Sequence, residues 1–360
     1  MSRPVRAALV SVSATELTSA EKRLLEEYNP LGVSLFNRNI ATPQQLQKLI
    51  ADIKETLDRE DALIAVDQEG GRVRRLREPD FRAYAGQQTL GRLYTEVSPA
   101  AAQKAVKIQA ALIAADLHAL GINLNYAPVL DVRSPQTAPV LSSRIFSDTP
   151  QIVAELGKIM ADEYMAQNII PCIKHLPGHG RAAVDPHLHL PVITAALPEL
   201  ENDFYPFKQL HRLPCGMTAH IVVAAVDDSA PVTQSPKAVR ELIRGQIGFD
   251  GFLISDAIDM HALKGSLSEK TATALNAGCD AVCYCAGESN GLEEVCRAAR
   301  PLTDNALEHL TRMTAVLSAP KHEHNITALQ EEYIQILGQI EAYDETYDAT
   351  EVLFKMQQPN

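Results

Sequence analysis

The sequence predicts a single (β/α)8 TIM-type barrel, and three observations carry that prediction. Short apolar or β-branched runs alternate with amphipathic helical stretches, the pattern of a parallel sheet covered by helices. Eight such runs occur, enough to close a barrel: "RAALVSV", "GVSLF", "LIAVD", "INLNYAPVLDV", "IIPCIKH", "GMTAHIVV", "FLISD" and "AVCYC". The first run leads into "VSVSATELTS" and not into a glycine-rich dinucleotide turn, which disfavours an open doubly wound sheet.

The helices between these runs have a shared start signal. In "TPQQLQKLI", "SPAAAQKAV", "TPQIVAELG" and "SPKAVRELI" a hydroxyl residue (Thr42, Ser98, Thr149, Ser235) stands before a proline. The hydroxyl can cap free amides while proline takes the first helical position. From about Asn325, "ITALQEEYIQILGQI" reads as a C-terminal helix followed by a polar tail. The expected organisation is a catalytic barrel over residues 1–320, with residues 321–360 packed on it or trailing from it. A barrel of this class commonly needs about 250 residues before insertions, and this chain has 360.

Composition removes several classes of function. With 46% hydrophobic and 22% charged residues the chain can bury a large core. A net charge of −12 without a basic run argues against nucleic acid, whose binding is driven by cations that release counterions. No apolar run approaches the roughly 20 residues of a membrane span, and "MSRPVRAALVSVSATELT" lacks a signal-peptide core. A cytoplasmic location and no membrane partner are expected. The six cysteines lie in or beside apolar segments and read as buried thiols, with "CDAVCYC" a core strand and not a zinc site.

Polar residues gather just beyond the strand runs: Asn37 and Arg38, Asp67, Lys174 and His175, His220, and Asp256. Each alone reads as a helix cap. In a barrel, however, all these ends open onto one face, where the βα loops build active sites. "AVDQEGGRVRRL" adds Arg72, Arg74 and Arg75 after a glycine turn. That stretch is either an acidic turn with solvated arginines or a carboxylate–guanidinium pair able to hold sugar hydroxyls. Asp256 ends an apolar run, and a carboxylate there is costly to bury unpaired, so it is expected to face the open site.

These residues carry a resemblance. "LFNRN", "VDQEGGRVRR", "GINLNYAPVLDV", "SRIF", "KHLPGHG", "DPH", "MTAH" and "ISDAIDM" resemble, in their order from about Leu35 to Met260, glycoside hydrolase family 3 and specifically its β-N-acetylglucosaminidase branch. The resemblance implies a (β/α)8-type barrel that often lacks the second domain of the family's glucosidases. It implies Asp256 as nucleophile, His187 as general acid/base and Asp185 as its partner. It further implies that Asp67, Arg75, Arg144, Lys174 and His175 hold the N-acetylglucosamine unit. Pro186 stands where that branch commonly has serine, Ala257 where a second acidic residue usually follows the nucleophile, and Thr149 where aspartate is frequent.

The stretch "KHLPGHGRAAVDPHLHLP", from Lys174 to Pro191, is the richest in chemistry. His175, His179, His187, His189 and Asp185 could ligate zinc, but metal-dependent barrel hydrolases typically place ligands on the first strand as well, and "RAALVSVSA" offers none. No metal and no cofactor are expected. In the acid/base reading Gly178 and Gly180 let the loop fold back to deliver His187. An anionic Asp185 would favour its protonated form and orient the ring. Retaining hydrolysis uses one carboxylate to attack and a second group to protonate the leaving oxygen; here histidine takes the second role.

The sequence therefore points to a monomeric exo-β-N-acetylglucosaminidase acting on small soluble glycans, by resemblance cell-wall muropeptides being recycled. The absence of tryptophan and an aromatic content of 5% lower the expectation of a long polysaccharide cleft. The alternatives are a phosphorylase using the same dyad, a metal-dependent amide hydrolase, and a sugar-binding sensor without turnover.

Overall fold

Eight parallel strands close a barrel in this computed structural model, which describes residues 3–182 and 189–341. They are β1 (Arg6–Val10), β2 (Pro30–Leu35), β3 (Leu63–Val66), β4 (Leu124–Asn125), β5 (Ile170–Leu176), β6 (Cys215–Thr218), β7 (Phe252–Ala257) and β8 (Ala281–Cys283). Each predicted run supplies one strand. Neighbours in sequence are neighbours in the barrel, and β8 closes onto β1 through the pairs Ala8 with Val282 and Leu9 with Cys283. All seven residues of β5 are buried. Walled by other strands inside and helices outside, a strand in this position favours a continuous apolar run over an alternating one.

β4 is the shortest departure from expectation. Only Leu124 and Asn125 of "INLNYAPVLDV" join the ladder, with Asn125 opposite Pro171. Pro128 and Pro171 have no N–H to donate, so regular pairing stops there. The chain still runs beside β5, through the bridge between Val129 and Lys174 and the bond from Leu130 N–H to Lys174 O at 2.7 Å. This brings Asp131 to the end of the barrel where the strands' C-termini lie.

Three of the expected caps form. Thr42 Oγ1 accepts from Gln45 N–H at 3.2 Å, Ser98 Oγ from Ala101 N–H at 3.1 Å, and Ser235 Oγ from Ala238 N–H at 2.9 Å. Thr149 differs: it precedes the helix Pro150–Ala166 without a side-chain cap, and its hydroxyl instead donates to Asp148 Oδ1 at 3.3 Å. After Ser235 the chain winds as a π-helix over Ala238–Ile247.

The C-terminal helix Ile326–Leu337 is capped by Asn325 and packs on the long helix Pro99–Leu120. Tyr333 is buried; its hydroxyl donates to Gln109 Oε1 and accepts from Ala85 N–H at 3.1 Å. Gln109 Nε2 donates in turn to Ala85 O at 3.0 Å. A hydrogen-bonded path thus runs from the C-terminal helix to the segment behind the β3 loop. Among the described residues no helix is long and apolar enough to cross a membrane.

Candidate active site

The site begins in the loop after β3. Asp67 is followed by a hairpin in which Gln68–Gly70 pairs antiparallel with Val73–Arg74. Gly70 and Gly71 turn it with φ of +98° and +57°, and a Cβ on Gly70 would lie 2.3 Å from Ala85 O. The Gln68 side chain ties the returning strand by accepting from Arg75 N–H at 2.9 Å and Leu76 N–H at 3.0 Å. Arg75 therefore comes back beside Asp67, with Nη2 3.2 Å from Oδ2. Arg72 and Arg75 are buried, so the solvated-arginine reading of this turn fails for both; half-buried Arg74 pairs with Glu78.

Lys174 and His175 come from the end of β5, where the register against β6 shifts between Ile173 and Leu176. A bulge of this kind re-aims side chains that would otherwise alternate between faces. Lys174 is 2% exposed, and its Nζ sits 2.8 Å from Asp67 Oδ1 and 2.6 Å from Glu69 Oε1. Arg144 clasps the same Glu69 as a two-pronged fork, at 2.9 Å through Nε and 2.7 Å through Nη2. Its Nη2 also lies 3.5 Å from His175 Nε2, while His175 Nδ1 lies 2.7 Å from Asp131 Oδ2.

The five residues expected to hold the sugar thus meet in one network, although they come from three separate places in the chain, after β3, after β4 and at the end of β5. Two members were not singled out from the sequence, Glu69 and Asp131. Both lay inside quoted motifs, "VDQEGG" and "APVLDV". Asp131 is fully buried and also accepts from His179 N–H at 2.7 Å, which identifies it as the orienter of His175.

Burial alone would raise the pKa of all three carboxylates, but their paired and hydrogen-bonded neighbours win. Lys174 and Arg75 hold Asp67 well below the usual carboxylate range. Arg144 and Lys174 bring Glu69 down to about 2, and His175 brings Asp131 to about 2. Burial likewise lowers Lys174, yet Asp67 and Glu69 outweigh it and raise its pKa. Arg75, Arg144 and Lys174 balance Asp67, Glu69 and Asp131. A balanced set of forks and carboxylates suits a neutral ligand rich in hydroxyls, which donates and accepts at once.

Asp256 stands on the same barrel face, near the C-terminal end of β7, and is partly exposed. Its Oδ1 accepts from Ala257 N–H at 2.7 Å. His220, after β6, donates from Nε2 to Ala257 O at 2.9 Å and meets Thr233 Oγ1 through Nδ1 at 2.8 Å, so it holds the backbone beside Asp256. Arg38 donates to Val12 O at 2.8 Å and Cys285 O at 2.7 Å, which ties the loops after β1 and β8. Its guanidinium and that of Arg75 lie 4.9 Å and 5.4 Å from the centre of the Phe36 ring.

His187 and Asp185, the expected acid/base pair, lie outside the described residues, as does Pro186. His189 is exposed and His179 is buried beside His175. Among the described residues no three His, Cys, Asp or Glu side chains come together as a metal-holding group.

Comparison with known proteins agrees with this architecture. Residues 6–316 match the sequence model of the "Glycosyl hydrolase family 3 N terminal domain". The chain is 34% identical over 317 residues to a "Beta-hexosaminidase" of Bordetella avium, covering 87% of this chain and 89% of the relative. It is 35% identical over 341 residues to a "Beta-hexosaminidase" of Alkalilimnicola ehrlichii, covering 92% and 95%. Among solved structures, NagZ from Neisseria gonorrhoeae in complex with N-trifluoroacetyl-D-glucosamine superposes with a TM-score of 0.82 at 30% identity, covering 93% of this chain and 98% of that one. With the barrel, the motif order and these matches in agreement, the chain belongs to glycosyl hydrolase family 3, in its β-N-acetylglucosaminidase branch.

Proposed function

We propose that this enzyme is a retaining exo-β-N-acetylglucosaminidase that removes terminal N-acetylglucosamine from small soluble glycans. The observation that carries the reading is the network in which Arg75, Arg144 and Lys174 balance Asp67, Glu69 and Asp131, with Asp256 at a strand end on the same barrel face. These directed charged groups match the hydroxyls of one sugar ring, and the Asp256 carboxylate adds a local negative charge. That charge suits a reaction whose transition state is oxocarbenium-like and positive.

In the proposed mechanism Asp67, Arg75, Arg144, Lys174 and His175 bind the terminal sugar, with Glu69 fixing the two cations and Asp131 the histidine. Asp256 attacks the anomeric carbon as His187, oriented by Asp185, protonates the leaving oxygen. The glycosyl-enzyme ester is then hydrolysed by water that neutral His187 deprotonates. A neutral base places no second negative charge beside Asp256, so phosphate is the competing acceptor.

We further propose that the physiological substrates are muropeptides from peptidoglycan turnover, handled in the cytoplasm by a monomer. The barrel over residues 1–320 would be the catalytic unit and the segment after it an appended support. The cysteines, free in this structure, fit a reducing compartment.

A chromogenic N-acetyl-β-D-glucosaminide tests the reading when assayed with and without phosphate and a chelator. Hydrolysis indifferent to both additives is expected, with the corresponding glucoside reacting much more slowly. Equal kcat/KM for the two sugars would sink the subsite assignment, phosphate-dependent turnover would favour the phosphorylase, and zinc-restored loss on chelation would revive the metal-dependent hydrolase.

A further inference from the structure

His179 is held in place through its backbone, while its ring nitrogens find no hydrogen-bond partner in another described residue. It is 2% exposed, and both ring nitrogens are buried with no hydrogen-bond partner among the described residues. Its backbone N–H is anchored 2.7 Å from Asp131 Oδ1. On either side, Gly178 adopts a φ of +133° and Gly180 packs so close to the segment after β4 that a Cβ would lie 1.8 Å from Val132 O. The ring stands edge-on to His175, with centroids 5.7 Å apart.

Orphaned buried polar atoms destabilise a fold, because their bonds to water are lost and nothing replaces them. A position that only needed filling would be served better by an apolar side chain. Burial, helped by the neighbouring His175, outweighs the opposing pull of Asp131 and Asp256 and brings the His179 pKa down to about 4. The ring is therefore neutral at working pH, with one nitrogen donating and one accepting. A sugar hydroxyl offers the complement of both.

We propose that His179 is a further substrate-contacting residue, whose ring nitrogens hydrogen-bond to the bound glycoside between the part held by His175 and the anomeric centre facing Asp256. This assignment rests on the N-acetylglucosaminidase reading. It adds to that reading a neutral contact whose partner is the ligand itself. On this assignment the two nitrogens, without a partner among the described residues, are satisfied when substrate arrives.

The test compares His179→Phe, which keeps a planar ring and removes both nitrogens, with His179→Asn and His179→Gln, which keep an amide donor and acceptor. Melting temperature, kcat/KM on 4-nitrophenyl N-acetyl-β-D-glucosaminide, and calorimetric Kd for N-acetylglucosamine are measured for each. His179→Phe is expected to melt at or above the wild-type temperature while kcat/KM falls about tenfold or more and product affinity weakens similarly, the loss of one to two hydrogen bonds. One of the amide variants should recover part of both losses. If His179→Phe does not fold, partial loss of affinity in a folded amide variant supports the contact and wild-type affinity overturns it. Wild-type kcat/KM and Kd in folded His179→Phe would overturn the inference, and so would a lowered melting temperature with unchanged Kd. Failure of the wild type to hydrolyse the glycoside would instead defeat the underlying reading, with the Kd comparison still reporting on His179.

Discussion

Lys174 Nζ lies 2.6 Å from Glu69 Oε1, and both side chains are 2% exposed. The pair is expensive to bury and would be worse to break, since an uncompensated charge would remain in the interior. Glu69 also carries the Arg144 fork, so its loss strips two cations at once. Glu69→Gln should destabilise the protein by about 3–5 kcal/mol and depress activity on N-acetylglucosaminides. Chemical denaturation alongside kcat/KM checks this; unchanged values for both would remove Glu69 from the site.

Asp256 has a chemical assignment and little packing to lose, being partly exposed at the end of β7. Asp256→Ala should abolish turnover while the melting temperature stays near wild type. Near-normal activity in this variant would eliminate it as nucleophile.

The proton donor is separated from the nucleophile by the leaving group. General acid catalysis contributes about 10²–10⁴-fold and matters most for a poor leaving group such as a second sugar. His187→Ala should lose most activity on disaccharides but show a burst of nitrophenol with an activated aryl glycoside, followed by slow turnover. Azide, a nucleophile that needs no general base, should accelerate the slow phase and form the β-glycosyl azide. Equal loss on both substrates with no burst and no azide response would exclude His187. His220 would then be the next donor to test, despite its bond to Ala257 O.

Acid stability should fall in two steps. His179 has a folded pKa of about 4 against an ordinary 6.5, so the unfolded chain binds the extra proton first. Its contribution declines as pH drops from 6.5 towards 4, at about 1.4 kcal/mol per pH unit. Glu69 and Asp131, both depressed to about 2 from 4.5 and 3.8, hold their contribution until pH falls below the ordinary carboxylate range, and lose it towards 2. Denaturant titrations at pH 7, 5.5 and 4 should show the first step in wild type and a smaller one in His179→Phe. A wild-type stability independent of pH across that range would contradict a buried neutral His179.

Tyr333 connects the C-terminal helix to the back of the site through Gln109 and Ala85. Tyr333→Phe removes the hydroxyl but keeps the ring, and leaves the buried Gln109 oxygen one partner short. A loss of about 1–3 kcal/mol is expected, measured by denaturation, with KM moving little because the path ends behind the hairpin.

The barrel was legible in the sequence because its determinants are local. Each strand run declares its burial by being mostly apolar, and Thr42, Ser98 and Ser235 can reach their amides across a single turn. Thr149 failed as a cap because the neighbouring Asp148 took its hydroxyl, a competition that residue type does not reveal. Motif order pointed to Asp67, Arg75, Arg144, Lys174 and His175 as one group, but no spacing rule could say that Lys174 and Asp67, 107 residues apart, would meet at 2.8 Å. Glu69 and Asp131 stayed unassigned for the same reason: a carboxylate matters here only through which cation it faces. That pairing follows from barrel closure, which sets the loops after β3, β4 and β5 side by side. His179 is the sharpest case. In sequence it is a loop histidine, and only the tertiary structure buries its ring with no partner among the described residues, because desolvation depends on everything around a group and on nothing in its own name.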